Sequence, residues 1–137
     1  MRQGYAWAIS LRGETYLLMQ RSEQALADFA PAVELDPAYA WAIAHRGETY
    51  QLMERYEEAL ADFERAIGLD PAYAWAIAHR GETYQLMERY EEAMADFERA
   101  IGLDPVSDTH LRAHENPEHL VCRHLLEQKK KKHYKIE

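Results

Sequence analysis

Residues 38–71 and 72–105 are one 34-residue sequence written twice, differing only at Leu60 and Met94, and residues 4–37 are a looser third copy. A fixed period of this length makes each copy a single supersecondary unit whose apolar face is covered by its neighbour. The chain is thus expected to be a linear stack of units over residues 4–37, 38–71 and 72–105, followed by an extension over 106–137.

Within the second copy, Ile43, Gly47 and Tyr50 recur at helical spacing on one face, while Trp41, His45, Glu48 and Leu52 occupy another. Tyr56, Ala59, Leu60, Phe63, Ala66 and Ile67 form a second amphipathic stripe, which Asp70-Pro71 stops. Each copy therefore reads as a helical hairpin. A glycine inside a helix costs about 1 kcal/mol, so Gly13, Gly47 and Gly81 call for a compensating contact. Without a side chain at Gly47, Tyr50 and Phe63 have room to fill the space between paired helices. Pro31 sits inside the second helix of the first copy, where the lost backbone hydrogen bond predicts a kink or early fraying.

Gly47, Tyr50, Ala59, Phe63, Ala66 and Pro71, with their counterparts Gly81, Tyr84, Ala93, Phe97, Ala100 and Pro105 and Gly13, Tyr16, Ala25, Phe29, Ala32 and Pro37, resemble the tetratricopeptide repeat pattern. The resemblance implies an all-α, right-handed superhelical stack of three antiparallel helix-turn-helix repeats. Two positions depart from the pattern. The family's tryptophan place holds Ile9, Ile43 and Ile77, and its leucine place holds Arg12, Arg46 and Arg80. An arginine near a helix pair needs a partner, and Asp62 for Arg46 and Asp96 for Arg80 are the expected ones.

In this family the first helices line a concave surface. The resemblance therefore assigns a peptide-binding groove to Trp7, Glu14, Trp41, His45, Glu48, Trp75, His79 and Glu82, with Ser10, Leu11, Leu18, Ala44, Leu52, Ala78 and Leu86 beside them. Indoles provide large contact area at low entropy cost, and three carboxylates favour a basic or amine-bearing ligand. Aromatic residues at this spacing also pack between neighbouring repeats, and the sequence leaves both readings open for the tryptophans. Some family members grip a C-terminal carboxylate with cationic groove residues. The matching positions here are Ser10, Glu14, His45, Trp75 and His79, so capture of that kind is not expected. The function implied is a non-catalytic scaffold for a protein or peptide. The alternative is a structural module that associates with itself by domain swapping or end to end, since identical copies can stack or exchange between chains.

Residues 1–105 carry nine arginines, no lysine and nineteen acids, a net charge of −10, whereas 106–137 are net +2. Nucleic-acid binding by the repeats is not expected, because phosphate neutralisation needs clustered positive charge. No Gly-rich phosphate loop, nucleophile triad or isolated acid pair points to an enzyme. No cofactor or metal is expected either, since adjacent repeats would hold His45 and His79 about 10 Å apart. No apolar run approaches the ~18 residues that span a bilayer, and no leader pattern follows Met1. With Cys122 as the single cysteine, these features make a cytoplasmic address the expectation and membrane association not.

After Pro105 come five of the seven histidines, all five lysines and the cysteine. Residues 106–132 are similar to the conceptual translation of a transposase-type sequencing-library adapter running into a poly-A end. That translation reads VSYTHLRAHET, three index-dependent residues, then LVCRLLLEKKK, and this chain departs at Asp108, Asn116, His124 and Gln128. The likeness implies a tail not selected for a function. His110, His114, His119, Cys122 and His124 are metal-ligand types, but their spacing fits no familiar zinc motif. Val121, Cys122, Leu125 and Leu126 form an apolar stripe, and two capping helices are expected, the first packed on the third copy.

Overall fold

A computed structural model describes the backbone of residues 2–103 and the side chains of residues 4–103. The expected extension over 106–137, with its helices, its histidines and its likeness to an adapter, lies outside the described residues. Six helices and no strand occur among those described: α1 (Arg2–Leu18), α2 (Ser22–Leu35), α3 (Ala40–Leu52), α4 (Tyr56–Leu69), α5 (Ala74–Leu86) and α6 (Tyr90–Gly102). They pair as three antiparallel hairpins, α1 with α2, α3 with α4 and α5 with α6. Between hairpins, α2 packs on α3 and α4 on α5, giving the right-handed superhelical stack.

The two kinds of turn have different physical bases. Inside each hairpin the chain reverses through Gln20, Glu54 or Glu88, each with φ near +60°. The next amide then reaches back across the helix end, Arg21 N–H to the Tyr16 carbonyl and Arg55 N–H to that of Tyr50, both at 2.8 Å. This left-handed cap satisfies carbonyls that the helix itself leaves open. Between hairpins the Asp-Pro pair makes the turn. Asp70 accepts the Ala72 amide on its carboxylate at 3.2 Å and the Tyr73 amide on its carbonyl at 3.0 Å, and Pro71 prevents continuation of α4.

The glycines sit where the paired helices approach most closely. A methyl group on Gly47 would meet Phe63 Cε1 at 3.0 Å, one on Gly13 would meet Phe29 at 3.1 Å, and one on Gly81 would meet Phe97 at 2.9 Å. Phe29 and Phe63 are fully buried in these recesses. Arg46 donates from Nε and Nη2 to the two carboxylate oxygens of Asp62, both at 2.8 Å. Arg80 does the same to Asp96, and Arg12 to Asp28. The expected ion pairs are therefore present and bidentate, and a third pair joins them.

Pro31 corrects an expectation. Of the kink or early fraying expected there, the fraying does not occur: α2 runs on to Leu35 and is fourteen residues long, as α4 is. Phe29, Ala32 and Val33 are buried on either side of the proline and hold the helix to its neighbours. The carbonyl that loses its partner belongs to Ala27, an exposed residue, so the lost bond falls on the solvent side of α2.

Candidate functional site

The spacing of Trp41 and His45 places them one helical turn apart on α3, and Trp75 and His79 repeat the arrangement on α5. Trp41 stacks on His45 with ring centroids 4.0 Å apart, His45 on Trp75 at 4.4 Å and 9° between planes, and Trp75 approaches His79 at 4.0 Å. A continuous aromatic ladder thus runs across the junction between the second and third repeats. Tyr39 flanks Trp41 at 5.9 Å, Tyr73 flanks Trp75 at 6.1 Å, and Phe29 meets Trp41 edge-on at 6.4 Å.

Hydrogen bonds fix the histidine. His45 Nδ1 lies 2.8 Å from the Trp41 carbonyl oxygen, which only accepts, so Nδ1 carries the proton. Nε2 then points towards Glu14 of the preceding repeat, 3.9 Å away. On α5, His79 Nδ1 lies 3.4 Å from Glu82 Oε1 without a hydrogen bond between them, and that oxygen accepts from Gln51 Nε2 of the preceding repeat at 3.2 Å. Carboxylates and imidazoles are thus interleaved with the indoles. Burial pushes the Tyr39 hydroxyl up to about 12, with the negative charges of Asp36 and Glu14 adding to it.

The structure separates the sequence-predicted groove residues by depth. His45 is only 2% exposed, and Trp75 and Glu14 are buried as well, so these three are built into the stack. Trp41, Glu48, His79 and Glu82 are partly exposed, and Trp7, at 51%, lies open at the first-repeat end. Leu52 and Leu86 project as an exposed apolar rim. Ser10 is fully buried and gives its hydroxyl proton to the Ala6 carbonyl of its own helix at 2.7 Å. Ala44 is fully buried as well. Trp75 stands between His45 and His79, so both imidazoles contact the same indole. Among the described residues, no group of three or more His, Cys, Asp or Glu is placed to hold a metal. Gln51 escaped the sequence reading. Its signal was weak: a polar residue next to Leu52 that becomes a bridge only once Glu82 of the next repeat is alongside.

The tetratricopeptide repeat family models match residues 8–39, 40–73 and 74–105, nearly three quarters of the chain. The chain belongs to the tetratricopeptide repeat family. Among solved structures, this TPR stack is similar to the second TPR of Spaghetti (RPAP3) bound to the HSP90 peptide SRMEEVD, at 30% identity and TM-score 0.71, over 74% of this chain and 94% of that one. It is also similar to the second TPR domain of human RPAP3 in complex with the HSP70 peptide SGPTIEEVD, at 27% identity and TM-score 0.71, over 89% and 94%. The Arabidopsis OM64 TPR domain shares the fold at TM-score 0.74 and 23% identity, over 84% of this chain and all of that one. No curated protein matches the sequence. Within the TPR pattern, the arginines at the leucine place are accommodated by the bidentate aspartate pairs described above.

Proposed function

We propose that this TPR protein is a non-catalytic, cytoplasmic scaffold that binds a basic protein segment or peptide along the face formed by α1, α3 and α5. The observation that carries the reading is the aromatic ladder, bordered by exposed Leu52 and Leu86 and accompanied by Glu14, Glu48 and Glu82. An apolar rim supplies contact area and the carboxylates orient a cationic chain. In this reading His45 and Trp75 are supports that hold the wall flat, while Trp7, Trp41, Glu48, His79 and Glu82 meet the ligand. No helix among the described residues is long and apolar enough to cross a membrane.

The RPAP3 relatives support the general mode, a peptide held by a TPR domain. Their peptides end in EEVD and are acidic, whereas the groove positions of this chain include no lysine or arginine. Like charges across an interface disfavour such a partner.

The test is fluorescence anisotropy with an arginine- and lysine-rich peptide and with an EEVD-ending peptide. The basic peptide is expected to bind, and the Glu48→Gln, Glu82→Gln variant to weaken it by about tenfold without changing the thermal midpoint. Tighter binding of the acidic peptide, or an affinity untouched by the double substitution, would overturn the proposal.

A further inference from the structure

The first and last described hairpins expose complementary faces. In the interior, α4 presents Tyr56, Leu60, Phe63 and Ile67 towards the next repeat, and Leu60 and Ile67 are each 6% exposed there. The same face on α6 is Tyr90, Met94, Phe97 and Ile101, with Met94 56% and Ile101 80% exposed. The sequence of this face changes only from leucine to methionine, so the difference is that no further helix follows α6 among the described residues. A repeat array normally closes such a face with a polar cap, and α6 carries none of its own.

At the other end, α1 shows what a first helix offers to a preceding repeat. Ala8 and Thr15 are exposed, whereas Ala42, Ala76, Thr49 and Thr83 are fully buried. The Arg12 side chain is 66% exposed against 19% for Arg46 and 17% for Arg80. Met19 is half exposed, while Met53 and Met87 are partly covered. Ala8, Arg12, Thr15 and Met19 therefore mark one helical face, the one α3 and α5 lay on the helix before them.

We propose that copies of this chain associate head to tail, the open face of α1 in one docking on the open face of α6 in another as α5 docks on α4 within the chain. The occupant is argued from identity of sequence. Over residues 5–18, α1 departs from the corresponding part of α5 only at Ser10, Leu11 and Leu17, none of which lies on the docking face just defined. Residues 106–137 contain no comparable copy of a first helix. The ladder continues through the same junction: Trp7 of the incoming copy takes the place that Trp75 holds, and His79 receives it as His45 receives Trp75.

One internal contact has no counterpart. Arg65 Nη2 donates to the Pro37 carbonyl and Arg99 Nη2 to that of Pro71, both at 3.1 Å, clamping each repeat to the one before. The matching residue of the first copy is Pro31. The intermolecular junction lacks this clamp and a covalent link, so association is reversible and rises with concentration. Because the two faces differ, the contact is heterologous and propagates rather than closing as a two-fold dimer.

Sedimentation velocity on the full chain, from micromolar to millimolar, is the test. The mean mass is expected to climb from the 16.0 kDa monomer through successive oligomers. Ala8→Glu and Ile101→Glu alter exposed positions at opposite ends, and each alone is expected to remain folded by circular dichroism and to stop growth. Mixed in equal amounts, the two variants retain one intact face each and should form a dimer that goes no further. A wild-type chain that stays monomeric throughout, as it would if residues 104–137 covered α6, overturns the proposal. So does a mixture that remains monomeric, or an Ile101→Glu protein that still assembles.

Discussion

Arg46 and Arg12 hold their aspartates with the same two-pronged geometry at 2.8 Å, yet they sit in different solvent. The Arg46 side chain is 19% exposed and that of Arg12 66%. Removing one partner of a covered pair leaves an uncompensated charge, and Asp62 is 5% exposed. Arg46→Ala is therefore expected to destabilise by about 3 kcal/mol, whereas Arg12→Ala is expected to cost less because the Arg12 side chain is already largely in water. Thermal unfolding of both variants checks the ranking, and equal shifts would refute it. Replacing Arg46 and Asp62 together by leucine should cost less than Arg46→Ala alone, since neither charge then remains buried.

At the scale of the helix, glycine is absent where backbone geometry favours it and present where packing demands it. Glu54 adopts φ of +61° at the cap of α3, a conformation that costs a side-chain-bearing residue about 1 kcal/mol. Glu54→Gly should consequently raise stability by about 0.5 kcal/mol after the entropy of the freer unfolded chain is counted. Gly68 is the reverse case, a helical position in α4 with nothing within 4 Å of an added methyl group. Gly68→Ala should add about 0.5–1 kcal/mol. Gly47→Leu would drive a side chain into Phe63 and is expected to destabilise by about 3 kcal/mol, far more than Glu57→Leu on the exposed face of α4. Chemical denaturation of the set orders these effects.

Across the whole molecule, each hairpin covers its neighbour and the outermost surfaces determine what happens beyond the chain. A partner that binds only the folded state raises the unfolding midpoint by mass action. If the end faces meet between copies, the wild-type midpoint should rise with protein concentration while that of Ile101→Glu stays constant, a measurement scanning calorimetry provides. A concentration-independent wild-type midpoint would count against association. The groove and the end faces of the stack meet at Trp7 and His79, but Glu48 and Glu82 are invoked for the groove alone and Ala8 and Ile101 for the end faces alone. Glu48 and Glu82 can therefore be neutralised without touching Ala8 or Ile101, which keeps the two proposals independently testable.

The 34-residue period, the apolar stripes and the Asp-Pro stops were sufficient to read the hairpins from the sequence. They also led to the glycine recesses and the Arg46–Asp62 and Arg80–Asp96 pairs, because those contacts join helices of one hairpin whose offset the repeat itself dictates. Only the tertiary structure decided what lies between repeats. It set His45 between two indoles, bridged Gln51 to Glu82, and carried α2 past Pro31 to Leu35. The angle at which one hairpin rests on the next arises from packing of both at once. A period in the sequence says that neighbours are alike, but not how far each is turned against the other.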